Sequence, residues 1–370
     1  MTFSTLFPTL PIEQWVSDSL QASDTLITTT LYKHQWTLQD LPALLSPQAG
    51  TYIEDLAQHA HRITQQRFGN VMQLFIPMYI SNVCYNSCSY CGFSMENDYK
   101  RITLTSEEIL KEGMLLKNKG FQHLLILTGE AEKSSVGYIE HAIKLLHPHF
   151  SSIGIEIQPL SIEDYKKMMS AGCDSLTVYQ ETYHRESYAT YHKAGRKKNF
   201  DYRLDTPDRG GKAGFYKLNI GALMGLYDWR YEAMALAFHL DYLQKTYWQT
   251  KYSVSFPRIR DMVGVFTQTY DITDAELTQL ICAFRMIFPD LGITLSTREE
   301  PYLRDHLFKL GITTMSAESN TSPGGYSGKE ESEKQFEISD HRSLNEIKTL
   351  LLQNGYEPVM KDWDRNLIVS

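Results

Sequence analysis

Residues 71–93, "VMQLFIPMYISNVCYNSCSYCGF", join two kinds of sequence. The first ten, 71–80, form an almost unbroken apolar run, the pattern of a strand covered on both faces. The run leads into a loop holding Cys84, Cys88 and Cys91, three of the chain's five cysteines within eight positions. Chemistry at the C-terminal end of a doubly covered strand is the arrangement of parallel α/β barrels. Seven further β-rich runs follow at 123–128, 153–158, 175–180, 217–223, 252–257, 292–297 and 312–317, with helical patterns between them. Eight strands alternating with helices predict a (β/α)8 barrel of the TIM type. A doubly wound open sheet has the same alternation and differs in closure.

Helix punctuation supports the alternation. Thr105-x-x-Glu108 and Ser161-x-x-Asp164 have the form of capping boxes, and Gly120 and Gly172 stand where helices end. Residues 228–248 and 273–288 read as long amphipathic helices. The predicted organisation is an N-terminal helical extension over 1–70, a barrel over 71–320 and a short C-terminal helical appendage over 321–370. In the extension, Ile53, Leu56, Ala57, Ala60 and Ile63 recur at helical spacing. The appendage has one helix, opened by Ser343-x-x-Glu346. Two polar stretches, 192–214 and 318–335, read as long loops, the second marking the boundary to the appendage.

Composition excludes several classes. Lys plus Arg number 36 and Asp plus Glu 44, so the net charge is −8 and nucleic acid is not an expected partner. No apolar run approaches membrane-spanning length, and the N-terminus lacks the basic and apolar regions of a secretory signal. Five cysteines with three bunched do not make a disulfide framework, which points to a reducing cytoplasm and to metal or redox chemistry.

Cys-x3-Cys-x2-Cys on one loop can wrap a metal centre. A structural zinc wants four closed ligands, and a fourth is missing from the loop. A [4Fe-4S] cluster held by three thiolates leaves one iron open to a substrate or cofactor. Spacing, position after the first strand, and the aromatic Tyr90 just before the last cysteine resemble the radical S-adenosylmethionine superfamily. That resemblance implies an S-adenosylmethionine that chelates the open iron and yields a 5′-deoxyadenosyl radical on reduction. Gly129-Glu130, after the second strand, resembles the superfamily's glycine-rich segment that meets the methionyl amino group. A zinc or purely structural iron–sulfur protein without catalysis is the competing reading.

The segments "PMYISNVCYNSCSYCGFSMEN", "LILTGE", "VYQETYH", "RLDTPDR", "GALMGLYDWR", "YSVSFPR", "LSTRE", "PGGY" and "KDWD" run in an order similar to the 2-iminoacetate synthase family, the tyrosine lyases of thiamine biosynthesis. The resemblance implies a radical S-adenosylmethionine barrel that breaks the Cα–Cβ bond of L-tyrosine. Products would be 2-iminoacetate (dehydroglycine), p-cresol, methionine and 5′-deoxyadenosine. Thiazole synthase and a flavodoxin-type one-electron reductant would be partners. The tyrosine lyase of hydrogenase maturation carries extra C-terminal cysteines for a second cluster, whereas here the last cysteine is Cys282. Tryptophan lyases and deazaflavin-ring synthases remain alternatives.

Strand ends then supply candidates. Arg298, after the seventh strand, is expected to fork onto the substrate carboxylate, with Ser316 after the eighth helping. Tyr79, just before the cysteine loop, is a candidate for the substrate amino group. Tyr90, Glu130, Gln158 and Glu181 are candidates for holding S-adenosylmethionine. Arg203 and Arg209 read as solvated residues of a polar loop, and His184 as a helix-edge histidine. The loop 192–214 and the tail around "KDWDRN" are expected to cover the barrel mouth.

Overall fold

The structure is a computed structural model, and it describes residues 2–262, 266, 270–328 and 333–361. Eight parallel strands form the barrel: β1 (Val71–Ser81), β2 (His123–Thr128), β3 (Ser152–Glu156), β4 (Ser175–Glu181), β5 (Lys217–Ala222), β6 (Lys251–Ser255), β7 (Gly292–Leu295) and β8 (Thr314–Ser316). Each pairs with the next, and β8 returns to β1 through Gln73–Thr314, Leu74–Met315 and Phe75–Ser316. The sheet is closed, so the open-sheet alternative falls. Leu74, Ile76, Met78 and Ile80 of β1 pack outward in the core, while Phe75 and Tyr79 line the interior. A two-residue period on a strand that is covered on both faces gives that division.

Most helix signals hold; at Ser161 only the N-cap half forms, its hydroxyl accepting from Asp164 N at 3.1 Å. Thr105 and Glu108 cap the helix Ser106–Asn118 reciprocally, and Ser343 and Glu346 do the same for Leu344–Gln353. Gly120 and Gly172 have φ of +104° and +114°, which an L side chain resists. The helix Trp229–Thr246 buries one long face against the barrel.

Of the two segments expected at the mouth, the first lies beside the cysteine loop but in a different form. Residues 192–214 are not a loop. His192–Ala194 pairs antiparallel with Ser87–Cys88 of the cysteine loop, and the helices Phe200–Leu204 and Thr206–Ala213 follow. The high charge of this stretch suggested solvent, but Asn199 caps the first helix and Arg203 is buried in an ion pair with Glu181, not solvated. Arg209 is likewise engaged, its Nε donating to the Leu160 carbonyl at 2.8 Å. The tail does not reach the mouth where it is described: β9 (Glu357–Val359) pairs with Val71–Gln73, at the end of β1 opposite the cysteines. Most of "KDWDRN" lies outside the described residues.

The loop after β4 is set by a buried carboxyl. Glu232 accepts from the Tyr183 N–H at 2.8 Å and from the Thr182 hydroxyl. Burial pushes its pKa up to about 8. The folded protein therefore holds a proton here that the unfolded chain releases near the ordinary carboxylate pKa, so this contribution is full at low pH and is lost as pH rises through about 8. Thermal unfolding followed from pH 5 to 9 should show a fall in Tm across that window. The fall should be smaller in Glu232→Gln, which cannot ionise.

Candidate active site

β1 and β4 both shift register near their C-terminal ends, at Tyr79/Ser81 and Tyr179/Glu181. Such bulges re-aim side chains at a barrel rim. Glu181 has φ of +72°, a strained value for a residue with a side chain. These distortions frame two adjoining regions at the mouth.

The first region is the cysteine loop. Cys88 is buried; Cys84 and Cys91 are partly covered. Burial pushes the Cys91 thiol up, and the neighbouring Cys84 raises it further. Cys84 and Cys91 both pack against a cluster formed by Tyr79, Phe93 and Leu127. Amide groups face two sulfurs, Asn86 Nδ2 at 3.7 Å from Cys84 Sγ and Gln335 Nε2 at 3.8 Å from Cys91 Sγ. Among the described residues, no three His, Cys, Asp or Glu side chains gather as ligands of a single ion. Three thiols on one loop, two of them faced by amide donors, have the donor chemistry of an iron–sulfur group.

The loop is held by its neighbours. Gly129 N donates to the Ser81 carbonyl at 2.9 Å, and Tyr85 N to the Glu130 carbonyl at 2.9 Å. A Cβ at Gly129 would strike the Val83 carbonyl, which accounts for glycine there. Tyr90 is packed beside Cys88. His192 Nδ1 lies 2.8 Å from the Tyr188 carbonyl, so it is the donor, and Nε2 accepts from the Tyr90 hydroxyl at 2.7 Å. Burial holds His192 neutral, its pKa lowered to about 3.

Next to the loop is a cleft lined by Glu130, Pro159, Gly195, Lys197, Asn199 and Arg203, among others. Glu130 accepts from Asn86 Nδ2 at 2.6 Å, and Lys197 N donates to Asn86 Oδ1 at 3.0 Å. Glu181 pairs with Lys197 at 2.7 Å and Arg203 at 3.1 Å. These cations keep the buried Glu181 carboxyl below its usual range, against the upward push of burial. Tyr90, Glu130 and Glu181 thus meet around Lys197, whose ammonium stands 5.6 Å from the Tyr90 ring. Gln158 stands apart, its Nε2 donating to the Ser134 carbonyl at 3.0 Å. His184 caps the helix Arg185–Tyr191 and stacks on Tyr227, a helix-edge role as expected.

The second region is the barrel cavity, which brings together Tyr79, Arg298 and Ser316. Arg298 is half-buried, and no carboxylate forms an ion pair with it among the described residues. Its Nη1 donates to the Arg258 carbonyl at 3.3 Å and its guanidinium lies 3.3 Å from the centre of the Phe336 ring. The adjacent Glu299 is taken by Arg258 and Arg260, the latter at 2.8 Å. The Ser316 hydroxyl accepts from Thr297 N at 3.0 Å. Tyr79 donates to Gln335 Oε1 at 2.7 Å.

Sequence reasoning did not assign Glu156, Tyr179, Gln335 or Phe336, all of which line this cavity. Glu156 was visible as a carboxylate ending an apolar strand. Gln335 and Phe336 lie in and just past the stretch read as a boundary loop, and nothing local marked them. Gln335 is tied to both sides of the mouth: its N donates to the Thr321 carbonyl at 3.1 Å, and Gly92 N donates to its carbonyl at 2.9 Å.

Gly92 should therefore be intolerant of a side chain. A Cβ there would meet the Lys334 and Gln335 carbonyls, the second at 2.8 Å. Gly92→Ala should lower Tm by a few degrees, a loss of about 1–3 kcal/mol, and speed bleaching of a reconstituted iron–sulfur chromophore in air. Gly137→Ala, where a Cβ meets nothing within 4 Å, should change neither.

Comparison with known proteins agrees with this geometry. The Radical SAM superfamily model matches residues 78–238, and the Biotin and Thiamin Synthesis associated domain matches 255–357. The chain is 45% identical over 335 residues to 2-iminoacetate synthase of Escherichia coli K12, covering 90% of this chain and 89% of that protein. The FeFe-hydrogenase maturase HydG of Carboxydothermus hydrogenoformans superposes with a TM-score of 0.88 at 31% identity, over 96% of this chain and 84% of that one. Methylornithine synthase (PylB) has the same fold, with a TM-score of 0.74 at 21% identity, over 93% and 99%. With a three-cysteine loop over a closed barrel and this likeness along nine-tenths of its length, the chain belongs to the 2-iminoacetate synthase family of radical S-adenosylmethionine enzymes.

Proposed function

We propose that this protein cleaves the Cα–Cβ bond of L-tyrosine to 2-iminoacetate and p-cresol, consuming S-adenosylmethionine, to supply the thiazole of thiamine. The observation that carries the site assignment is Arg298, a half-buried guanidinium without a carboxylate ion-pair partner among the described residues, lining a cavity beneath the cysteine loop. A cation lining a cavity in that state is an unfinished ion pair, and an amino acid's carboxylate completes it.

Cys84, Cys88 and Cys91 would hold a [4Fe-4S] cluster, with Asn86 and Gln335 donating toward its thiolates. When bound, cluster and S-adenosylmethionine together supply one-electron cleavage of the sulfonium and a carbon radical that abstracts hydrogen. Glu130, on the loop that pairs with Tyr85, is placed to meet the methionyl amino group. Glu181, held rigid by Lys197 and Arg203, and Tyr90 form the adjoining wall. Gln158, bonded to the Ser134 carbonyl, takes no part in this wall.

Arg298 and Ser316 fix the substrate carboxylate, so the amino group is presented upward, toward Tyr79 and the cysteine loop. Placement matters because the weakest C–H bonds of tyrosine are not the ones that lead to Cα–Cβ cleavage. Gln335 and Phe336 close the cavity from above and limit water. Thiazole synthase as acceptor of the imine, and a flavodoxin-type reductant, follow from the reaction's needs. No helix among the described residues is long and apolar enough to cross a membrane, consistent with a place in the cytoplasm.

Anaerobic incubation with tyrosine, S-adenosylmethionine and a strong reductant should yield p-cresol and 5′-deoxyadenosine together. Consumption of tryptophan with tyrosine untouched would refute the reading. Arg298→Lys keeps charge but loses the fork, so it should raise the KM for tyrosine and increase 5′-deoxyadenosine formed without p-cresol. Arg298→Ala should cost about 2–5 kcal/mol in kcat/KM. Wild-type p-cresol formation by a folded, cluster-loaded Arg298→Ala would remove Arg298 from this role. Cys84, Cys88 or Cys91→Ala should each lose most of the bound iron, while Cys173→Ser and Cys282→Ser, buried outside the loop, should keep it.

A further inference from the structure

An eight-stranded ring places each strand opposite the one four positions away. Arg298 follows β7, so the wall facing it is β3, whose last residue is Glu156. Both side chains line the same cavity. Phe75, Leu125, Leu127 and Phe256 supply the apolar part of the lining, and the two charged groups stand on facing walls.

Several other polar groups in and around the cavity are already committed. Asn219 Nδ2 reaches Ser255 Oγ at 3.1 Å and Tyr179 Oη at 3.5 Å, and Ser253 donates to Asn219 Oδ1 at 3.1 Å. Glu299 is neutralised by two arginines. Thr321 donates to the Phe336 carbonyl at 2.8 Å. Glu156 differs: among the described residues it has neither a hydrogen-bond nor an ion-pair partner. Burial and the nearby Glu181 charge push its pKa up to about 7. A carboxyl group left without a donor in such a site is costly unless a ligand supplies one.

We infer that Glu156 receives the phenolic hydroxyl of tyrosine, and that this contact selects tyrosine over phenylalanine. The inference rests on the tyrosine reading above. With its carboxylate on Arg298, a tyrosine spanning the barrel places its ring against the apolar wall and its para hydroxyl at the far side. The O–H donates to a Glu156 carboxylate oxygen. Phenylalanine fills the same space and leaves that oxygen unpaired, the situation in which a site rejects an analogue lacking a hydroxyl.

The test is equilibrium binding of tyrosine and phenylalanine to the anaerobic holoenzyme with S-adenosylmethionine and no reductant. The wild type should prefer tyrosine. Glu156→Leu should lose about 10- to 100-fold of that preference, with phenylalanine binding retained. Glu156→Gln, which keeps an acceptor and the side-chain shape, should retain part of it and decides the matter if the Leu variant does not fold. An unchanged tyrosine-to-phenylalanine ratio in a folded variant would overturn the inference. So would equal weakening of both amino acids, which would place Glu156 at the amino or carboxylate end. A wild-type enzyme that makes no p-cresol from tyrosine would instead refute the functional reading beneath it.

Discussion

Three register pairs, Gln73–Thr314, Leu74–Met315 and Phe75–Ser316, turn a sheet into a barrel. Without them β8 and β1 would be edges, and Ser316, Arg298 and Tyr79 would lie at opposite ends of an open sheet. Closure removes the unpaired edges and creates a protected interior at the same time. It also brings the end of β1, and so the cysteine loop, over the cavity whose far wall is β3. Gln335 and Phe336 then complete the enclosure, Gln335 tied to the loop at Gly92 and to β1 through Tyr79.

Electrostatics divides the interior into finished and unfinished pairs. Glu181 with Lys197 and Arg203, and Glu299 with Arg258 and Arg260, satisfy one another. They act as fixed structure in a poorly polarisable medium, where moving a charge is expensive. Arg298 and Glu156 are left over, one on each side. Their burial makes both disfavoured as isolated charges: the guanidinium is driven below its usual pKa and the carboxyl above. On the reading proposed above, an amino acid with a hydroxyl at its far end would relieve both.

Much of this was legible in the sequence because the signals are local. Strand runs, capping boxes and C-terminal glycines depend on neighbours a few residues away, and eight of eight barrel strands lie where the apolar runs are. The cysteine spacing is local too. Arg298, Ser316 and Tyr79 could be named from strand ends because a barrel gathers strand ends. What failed was burial of charge. The stretch 192–214 is rich in Lys and Arg and reads as solvated, yet Lys197 and Arg203 are drawn in by Glu181, 16 and 22 positions upstream. The part that Gln335 plays at the mouth was missed for a related reason: Gln335 meets Cys91 across 244 positions, and no pattern within either stretch announces that contact.

The central claim is that placement, not bond strength, selects the hydrogen that is removed. It is tested by the isotope content of 5′-deoxyadenosine formed in single turnover. Unlabelled tyrosine in D2O should place deuterium in the product, because the amino hydrogens exchange with solvent. Tyrosine deuterated at Cα and Cβ in H2O should place none. Deuterium arriving from either carbon, in a reaction that still makes p-cresol, would contradict an amino group held toward the cysteine loop by Arg298 and Ser316.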